Sequence, residues 1–372
     1  MLLLNRYNTI IMANYSQAEL QSKTIEFLRF PLIIAVMFAH AVTSATFQDG
    51  YVNSGGGYFW YDNIRYLISN IFGYVTVPTL FFISGFLFFG NIKIWSLDKY
   101  GSKLKTRIKS LLIPYLFWNA FAIAIVIVAY SGMSSLTPGK AGEHFYSVKN
   151  IIGMFWNYGQ TGNPAQIPLW YVRNLMVIDL LAPVVWLWVT NLRQWGVIFL
   201  GLLWVSNIVG SVWNIDETIF LFTFGAYFGI NKLDMVVDFN KLFKFSVIAF
   251  PIMALADVCT QNQVFNIYIH RTAIFLGIVF VFNIVSHGIN NRGWHISSSL
   301  IASNFFLYSS HYYILSFIRR GMIYTIRPDT EGAHFIVYFV PVLLAFCLIF
   351  AVFLLMKKVT PRFLGIICGG RA

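Results

Sequence analysis

The chain alternates between long apolar segments and short loops that carry most of its charges. Ten segments are apolar enough to be predicted as membrane spans, because about 20 mostly apolar residues cross the hydrocarbon core of a bilayer. They are residues 25–45, 64–90, 110–131, 167–190, 196–213, 217–230, 245–258, 268–287, 299–318 and 334–356. Over such lengths in lipid only helices satisfy all their backbone groups. We therefore expect an all-α, polytopic integral membrane protein with about ten transmembrane helices.

Two of the predicted spans, 217–230 and 245–258, are short, so re-entrant segments are the alternative there. Neither a soluble domain nor an internal repeat is visible in the chain. We predict a cytoplasmic N-terminal segment over 1–24, a single transmembrane domain over 25–356 and a cytoplasmic tail over 357–372.

Composition supports a membrane protein. Of the 372 residues, 58% are hydrophobic and 11% are charged, where a soluble domain carries roughly 25% charged residues. Such a chain in water exposes more apolar surface than a soluble monomer tolerates. A soluble globular fold is therefore close to excluded.

The basic residues lie in short loops, which indicates orientation rather than nucleic-acid binding. The net charge is +12, and the densest basic cluster runs from Lys93 to Lys109 after the second span. Cytoplasmic loops of membrane proteins carry an excess of Lys and Arg. We expect this side, with both termini, to be cytoplasmic, and the glycine-rich loops at 54–57 and 131–168 to face outward. No nucleic-acid partner is expected.

The cysteines and the N-terminal segment give little information about the protein's chemistry. Cys259, Cys347 and Cys368 are far apart, with neither a disulfide framework nor metal-ligand spacing, so no metal is expected. The N-terminus lacks a signal-peptide core and cleavage site. The first span is expected to act as an uncleaved insertion signal, and Met12 is an alternative start to Met1.

The first predicted span contains Arg29 and His40. At about 100° per residue their separation is three turns plus some 20°, so both lie on one face, about 16 Å apart along the axis. Alone, Arg29 is explained by snorkelling and His40 by an inter-helix hydrogen bond. Because an ionisable group in a span costs about 3 kcal/mol or more, the pair on one face favours a shared function.

A second histidine, His311, lies in the ninth span beside Ser309 and Ser310. A neutral imidazole acts as an acid, a base or a nucleophile near neutral pH. Structural packing is the alternative explanation for this histidine.

The fourth span opens with Trp170, Tyr171 and Arg173 and also contains Asp179. Trp170 and Tyr171 are typical of interfacial anchors. Arg173 lies about one turn inside the apolar segment. It is expected to pair with Asp179 or to bind an anion such as a carboxylate or a phosphate.

The basic loop before the third span contains Lys105 and Arg107 and leads into Ile113–Tyr115. Topology and contact with anionic lipids explain such a loop. The functional alternative is a cytoplasmic site for a polyanionic ligand such as a nucleotide.

These segments together resemble the membrane-bound acyltransferase family 3 of bacterial integral-membrane O-acyltransferases. The resemblance is carried, in order, by Arg29 and His40, by Phe-Phe-Ile-Ser-Gly-Phe-Leu-Phe-Phe at 81–89, by the basic loop running into Ile-Pro-Tyr, by Leu-Trp-Tyr-Val-Arg at 169–173, and by Phe-Leu-Tyr-Ser-Ser-His ending at His311. It covers nearly the whole chain. One departure is Asn174, where the family often has Asp.

The resemblance implies transfer of an acyl group, commonly acetyl, from cytoplasmic acyl-CoA to a hydroxyl of a glycan or lipid at the outer face. It assigns the CoA phosphates to Lys105 and Arg107, with Arg29 helping. His40 is then a general base or a transient acyl carrier. Arg173 and His311 would position the acceptor or stabilise the oxyanion. Trp170 and Asp179 are further candidates for the acceptor site. The partners implied are membrane lipids, the acyl-CoA donor and a glycan or glycolipid, at a bacterial inner membrane.

Two other classes of protein share these features. A transporter or flippase also has many spans and intramembrane charges, although no pseudo-repeat is evident. A multispan glycan polymerase or glycosyltransferase is expected to have larger charged outward loops. The acyltransferase prediction accounts for more of the chain than either alternative.

Overall fold

The described part of the chain is helical, as expected. The computed structural model describes residues 15–43, 57–92, 94–134, 147–210 and 213–371, and these ranges contain no strand. The α-helices are α1 (Gln17–Thr43), α2 (Phe59–Arg65), α3 (Gly73–Gly90), α4 (Leu97–Arg107), α5 (Ile113–Ser134), α6 (Val148–Met154), α7 (Trp170–Leu180), α8 (Ala182–Ser206), α9 (Ile215–Ile230), α10 (Met235–Asn240), α11 (Phe243–Thr260), α12 (Asn266–Arg292), α13 (Ser298–Ile326), α14 (Glu331–Val359) and α15 (Pro361–Ile367). Two π-helical segments, Tyr66–Phe72 and Ile108–Leu112, join α2 to α3 and α4 to α5.

Several described helices are long and apolar enough to cross a membrane. By length and composition there are six such segments: Gln17–Val42, Phe59–Gly90, Leu97–Val128, Phe243–Thr260, Asn266–Arg292 and Glu331–Val359. A seventh candidate is the pair Ile167–Leu180 and Ala182–Ser206, which is bent by 66°. All ten predicted spans overlap a helix, but α9 has only 16 residues and α13 does not pass the same test. A multi-pass, all-α membrane protein follows, and the count of ten stays a prediction.

The chain reverses within α8, between the predicted fourth and fifth spans. Arg193 has φ 51° and ψ −137°, which no helical residue adopts. The rings of Trp188 and Phe199 lie 6.3 Å apart, although eleven residues of straight helix rise about 16 Å. The two halves of α8 therefore fold back on each other, which supports two separate segments here.

Helices α3 and α9 pack with their backbones in close contact. A Cβ at Gly85 would lie 2.0 Å from the carbonyl oxygen of Phe222, and one at Gly225 would lie 1.8 Å from that of Phe82. Small residues permit such close helix approach in membranes. The glycine of the Phe-rich motif at 81–89 is thus required by packing.

Helix α1 occupies a central position and packs against α3, α12 and α13. Its contact with α13 brings the Arg29–His40 face opposite the segment that contains His311. The predicted tail at 357–372 begins inside α14 and continues into α15, which packs against α5. Of the predicted glycine-rich loops, residues 54–56 and 135–146 lie outside the described residues, whereas residues 147–168 are described and include α6.

Candidate active site

The two histidines predicted from separate spans lie side by side. The ring centroids of His40 and His311 are 5.3 Å apart, with an interplanar angle of 44°. The ring of Tyr312 meets His40 edge-on at 5.4 Å. His311 is fully buried, and His40 is partly buried. Two groups capable of proton transfer or nucleophilic attack therefore share one position inside the helix bundle.

Hydrogen bonding assigns different tasks to the two ring nitrogens of His311. Its Nδ1 lies 3.0 Å from the carbonyl oxygen of Leu307, so Nδ1 carries the proton and donates it. The buried Nε2 has no hydrogen-bond partner among the described residues. A neutral imidazole in this tautomer offers Nε2 as an acceptor, as a general base requires.

A cavity of about 270 Å³ lies at the end of the bundle where α1 and α13 begin. It is lined by residues of α1, α3, α7 and α13, by Arg107 at the end of α4, by Leu111 of the following π-helical segment and by Arg371: Arg29, Ile33, Leu80, Ile83, Ser84, Leu87, Arg107, Leu111, Tyr171, Val172, Leu175, Ile301, Asn304, Phe305, Tyr308 and Arg371. Tyr308 lies one turn before His311 along α13, and their rings are 6.3 Å apart. The cavity therefore ends just below the histidine pair.

Positive charge dominates the cavity. Arg29, Arg107 and Arg371 all line it, whereas the nearby carboxylate of Asp179 lies 3.0 Å from Arg107 Nε and neutralises that arginine alone. No carboxylate of the described residues lies within 4.0 Å of Arg29 or Arg371. Arginine forks suit phosphate groups, so the cavity is suited to a polyanion.

An unsatisfied amide also lines the cavity. Asn304 is 9% exposed, and neither its Nδ2 nor its Oδ1 has a hydrogen-bond partner among the described residues. Leaving a buried donor or acceptor unpaired costs about 1–3 kcal/mol. A ligand with an amide or hydroxyl group at this position recovers that loss.

Lys105, predicted to hold donor phosphates, is exposed and does not line the cavity. The Nζ of Lys103 lies 5.8 Å from the centre of the Phe88 ring, which the Arg107 guanidinium also covers at 5.6 Å. Positions 103 and 107 of α4 share a helical face, whereas position 105 points away from them. Of the two predicted phosphate ligands on α4, Arg107 lines the cavity, and the role of Lys105 stays a prediction.

Arg173 does not pair with Asp179, in contrast to one of the two expectations for it. Six residues along a helix leave two side chains on different faces, so the pair cannot meet. Instead Arg173 donates to the carbonyl oxygens of Trp156 at 2.7 Å and Gly162 at 2.9 Å. Its guanidinium also lies between the rings of Trp156 and Trp213, at 5.2 and 5.5 Å. Arg173 is 1% exposed, and these contacts give it a structural task.

Asn174 also holds the Arg173 side chain in place. Its Oδ1 accepts hydrogen bonds from Arg173 at 3.1 and 3.2 Å, while its Nδ2 donates to the carbonyl oxygen of Trp213 at 2.8 Å and to Thr218 Oγ1 at 3.2 Å. An ionised Asp accepts hydrogen bonds but does not donate them. Asn at position 174, where the family often has Asp, therefore suits these neighbours, because its amide both accepts and donates hydrogen bonds.

Asp179 and Trp170 lie near opposite ends of α7. Asp179 is buried beside Arg107 at the cavity end of α7, and Trp170 packs against Phe81 with ring centroids 6.1 Å apart. The structure therefore pairs Asp179 with Arg107, and it gives Trp170 a packing contact.

The cavity residues that the sequence-based candidates miss include Asn304 and Arg371. Asn304 lies seven residues before His311, hence on the same helical face, so its place in an apolar segment is a usable signal. Arg371 lies far along the chain from every other candidate, and no pattern in the sequence connects it to the cavity.

Comparison with known proteins agrees with this arrangement. The model of a family described as "Acyltransferase domain" matches residues 22–357. The chain is 21% identical over 373 residues to the succinoglycan biosynthesis protein ExoH of Rhizobium meliloti (strain 1021), covering 94% of this chain and 92% of that protein. No solved structure matches the chain. The family match includes both histidines, Arg29, Arg107 and Asn304, whereas Arg371 lies beyond it.

Proposed function

The chain belongs to the acyltransferase family 3, whose model covers nearly all of it, and on this premise we propose that it transfers an acyl group, most simply acetyl, from cytoplasmic acyl-CoA to a hydroxyl of a cell-surface or lipid-linked glycan. The observation that carries the proposal is the arginine-lined cavity that ends one turn below two adjacent histidines. The name of the succinoglycan relative supports a glycan acceptor. Membership in an acyltransferase family leaves the transporter and glycosyltransferase alternatives without support.

The donor occupies the cavity in this proposal. Arg29 and Arg107 bind the phosphates of CoA, and Asp179 holds the Arg107 guanidinium in place from 3.0 Å. Asn304 pairs with an amide of the pantetheine arm, which offers both a donor and an acceptor. With the phosphates at Arg29, the thioester extends along α1 and α13 toward the histidines, a rise of about 16 Å.

His311 acts as the general base. The acceptor hydroxyl donates its hydrogen bond to Nε2, and its oxygen attacks the thioester carbonyl. A carbon–oxygen bond forms, the carbon–sulfur bond breaks, and the proton taken up by Nε2 passes to the departing CoA thiolate. General base catalysis of this kind contributes roughly 10²- to 10⁴-fold to the rate.

His40 has two chemically distinct roles open to it beside His311. In one it carries the acyl group as an acyl-imidazole, and in the other it takes the place of His311 as the base in direct transfer. Exchange of label between free coenzyme A and acyl-CoA, in the absence of acceptor, separates them, because forming an acyl-imidazole releases coenzyme A reversibly. Exchange with wild type that is missing from His40→Ala identifies the carrier, and no exchange with wild type identifies direct transfer.

A succinyl group is a second candidate for the acyl group, because a buried cation lies near the histidines. Arg319 is 4% exposed and donates to the carbonyl oxygen of Val42 at 3.3 Å, two residues beyond His40. Its Nε has no hydrogen-bond partner among the described residues. A free carboxylate on the acyl group would pair with this guanidinium.

The protein acts at a bacterial inner membrane, with both termini in the cytoplasm. The basic segment from Lys93 to Lys109 supports this orientation. The cavity with its arginines then opens toward the compartment that contains acyl-CoA. The acceptor approaches the histidines from the opposite side.

The test is transfer of label from acetyl-CoA and, separately, succinyl-CoA in inside-out membrane vesicles that contain native lipids. Wild type is compared with His311→Ala and His40→Ala. We expect label in an extractable glycan or glycolipid with wild type and a loss of at least about 100-fold with His311→Ala. Full activity of His311→Ala would remove it as the base, and absence of transfer from any acyl-CoA would overturn the proposed donor.

A further inference from the structure

A segment after α14, residues 361–371, folds back onto the bundle and is called the strap here. The indole Nε1 of Trp118 donates to the carbonyl oxygen of Ile367 at 3.0 Å, and the rings of Phe117 and Phe363 are 5.6 Å apart. Leu364, Ile367 and Cys368 are at most 2% exposed. Burial of these side chains against α5 gives the strap a defined position.

Two glycines at the end of α15 direct the chain into the cavity. Gly369 and Gly370 have φ values of +65° and +77°, which favour glycine. A Cβ at Gly369 would lie 2.5 Å from the carbonyl oxygen of Ser110, so the strap touches the π-helical segment after Arg107. The next residue, Arg371, consequently enters the cavity wall beside Arg107.

Arg371 is held among other cations. Its guanidinium lies 4.8 Å from the centre of the Phe305 ring and lines the same cavity as Arg29 and Arg107. Desolvation lowers the pKa of Arg371 to about 10, and the positive charges of Arg107 and Arg29 contribute to the shift. The side chain stays charged at neutral pH, and Arg371 and Arg29 both line the cavity that a ligand would enter.

Of the three arginines around the cavity, Arg107 is paired with Asp179, whereas the charges of Arg29 and Arg371 repel each other unless an anion occupies the cavity. We propose that Arg371 is a third arginine for the phosphate groups of the donor, brought into the cavity by the strap. The inference rests on the proposed function, since it names a further ligand of the same donor. It concerns a residue outside the matched family range, so it is a feature of this chain rather than of the family model.

The test compares Arg371→Ala with Arg362→Ala in the full-length protein. Arg362 is an exposed arginine of the same strap that does not line the cavity, so its replacement changes the charge equally. Each variant is assayed with acetyl-CoA and with acetyl-pantetheine, which has the same thioester and no phosphate. We expect Arg371→Ala to raise the KM for acetyl-CoA roughly 10- to 100-fold and to leave acetyl-pantetheine transfer unchanged.

A second pair of variants moves the strap without altering its charge. Gly369→Ala introduces the clash with Ser110, whereas Gly365→Ala adds a methyl group with no atom within 4 Å. We expect Gly369→Ala to reproduce the higher KM for acetyl-CoA and Gly365→Ala to behave as wild type. Arg371→Lys keeps the charge without the planar fork and should retain part of the affinity that Arg371→Ala loses.

Equal effects of Arg371→Ala and Arg362→Ala, or an equal loss with both donors, would overturn the proposal. If wild type transfers nothing from acyl-CoA, the proposed function fails. Calorimetry then still tests whether Arg371 contributes to the binding of coenzyme A. If coenzyme A binds to wild type and to Arg362→Ala but not to Arg371→Ala, Arg371 is a phosphate ligand even though the proposed transfer fails. Equal binding to all three would overturn it.

Discussion

At the scale of single residues, polar side chains within apolar segments are the most informative feature of this chain. Arg29, His40 and His311 stand out in the sequence because ionisable groups in a span are costly, and the structure brings all three to the cavity or the histidine pair. Asn304 carries the same signal more weakly, since a neutral amide costs less to bury than a charge.

Asn304 leads to a prediction about donor affinity. Asn304→Ala removes an amide that has no partner among the described residues, so we expect unchanged or higher thermal stability. The KM for acyl-CoA should rise roughly 3- to 10-fold, as expected for one neutral hydrogen bond. Steady-state kinetics and thermal unfolding in detergent measure the two effects.

Asn283 is the matched control for that variant. It is fully buried on α12, and its Nδ2 donates to Ser246 Oγ at 2.8 Å. Asn283→Ala should lower thermal stability and leave the KM for the donor unchanged. A donor KM that does not move in Asn304→Ala would remove Asn304 from the donor site.

At the scale of helices, the structure explains two motifs by packing rather than by chemistry. Arg173 of the Leu-Trp-Tyr-Val-Arg motif donates hydrogen bonds to the carbonyl oxygens of Trp156 and Gly162, which ties the segment before α7 to this helix. Gly85 of the Phe-rich motif lies in the contact between α3 and α9. The assignment of Arg173 to the acceptor stays a prediction, and its buried contacts favour the structural task.

The contact of α3 with α9 leads to a prediction about stability. Gly85→Ala places a methyl group 2.0 Å from the carbonyl oxygen of Phe222, and the backbone of α9 cannot yield as a side chain does. We expect destabilisation of about 1–3 kcal/mol or more, seen as a lower thermal unfolding temperature of purified protein in detergent.

Gly101 provides the control within a helix. A Cβ there meets no atom within 4 Å, so Gly101→Ala should be neutral or stabilise by up to about 1 kcal/mol. Unfolding of Gly85→Ala at the wild-type temperature would contradict so close an approach of α3 and α9.

At the scale of the whole molecule, orientation and span count are open to one labelling experiment. In a variant without native cysteines, Ser102→Cys, Gln194→Cys and Val264→Cys probe exposed positions before α5, at the reversal in α8 and after α11. With ten spans, an impermeant maleimide should label position 264 in intact cells and positions 102 and 194 only after permeabilisation. The reason is that five spans separate 102 from 264.

The opposite result at every site would reverse the orientation. Labelling of 102 and 264 from the same side would require an even number of crossings between them and contradict the ten-span prediction. If Gln194→Cys stays unlabelled from both sides, residues 167–206 form one broken span instead of two.

The sequence by itself determines the class of fold and the depth of several functional groups. Apolar segments of this length must be helices in lipid, and the rise and rotation of one helix place Arg29 and His40 on one face at different depths. Only the tertiary structure decides which distant segments meet: His40 with His311, Arg107 with Asp179, and Arg371 with the two cavity arginines. The physical reason is that contacts within a helix follow from its period, whereas contacts between helices depend on how whole surfaces and their glycines fit together, which no local pattern encodes.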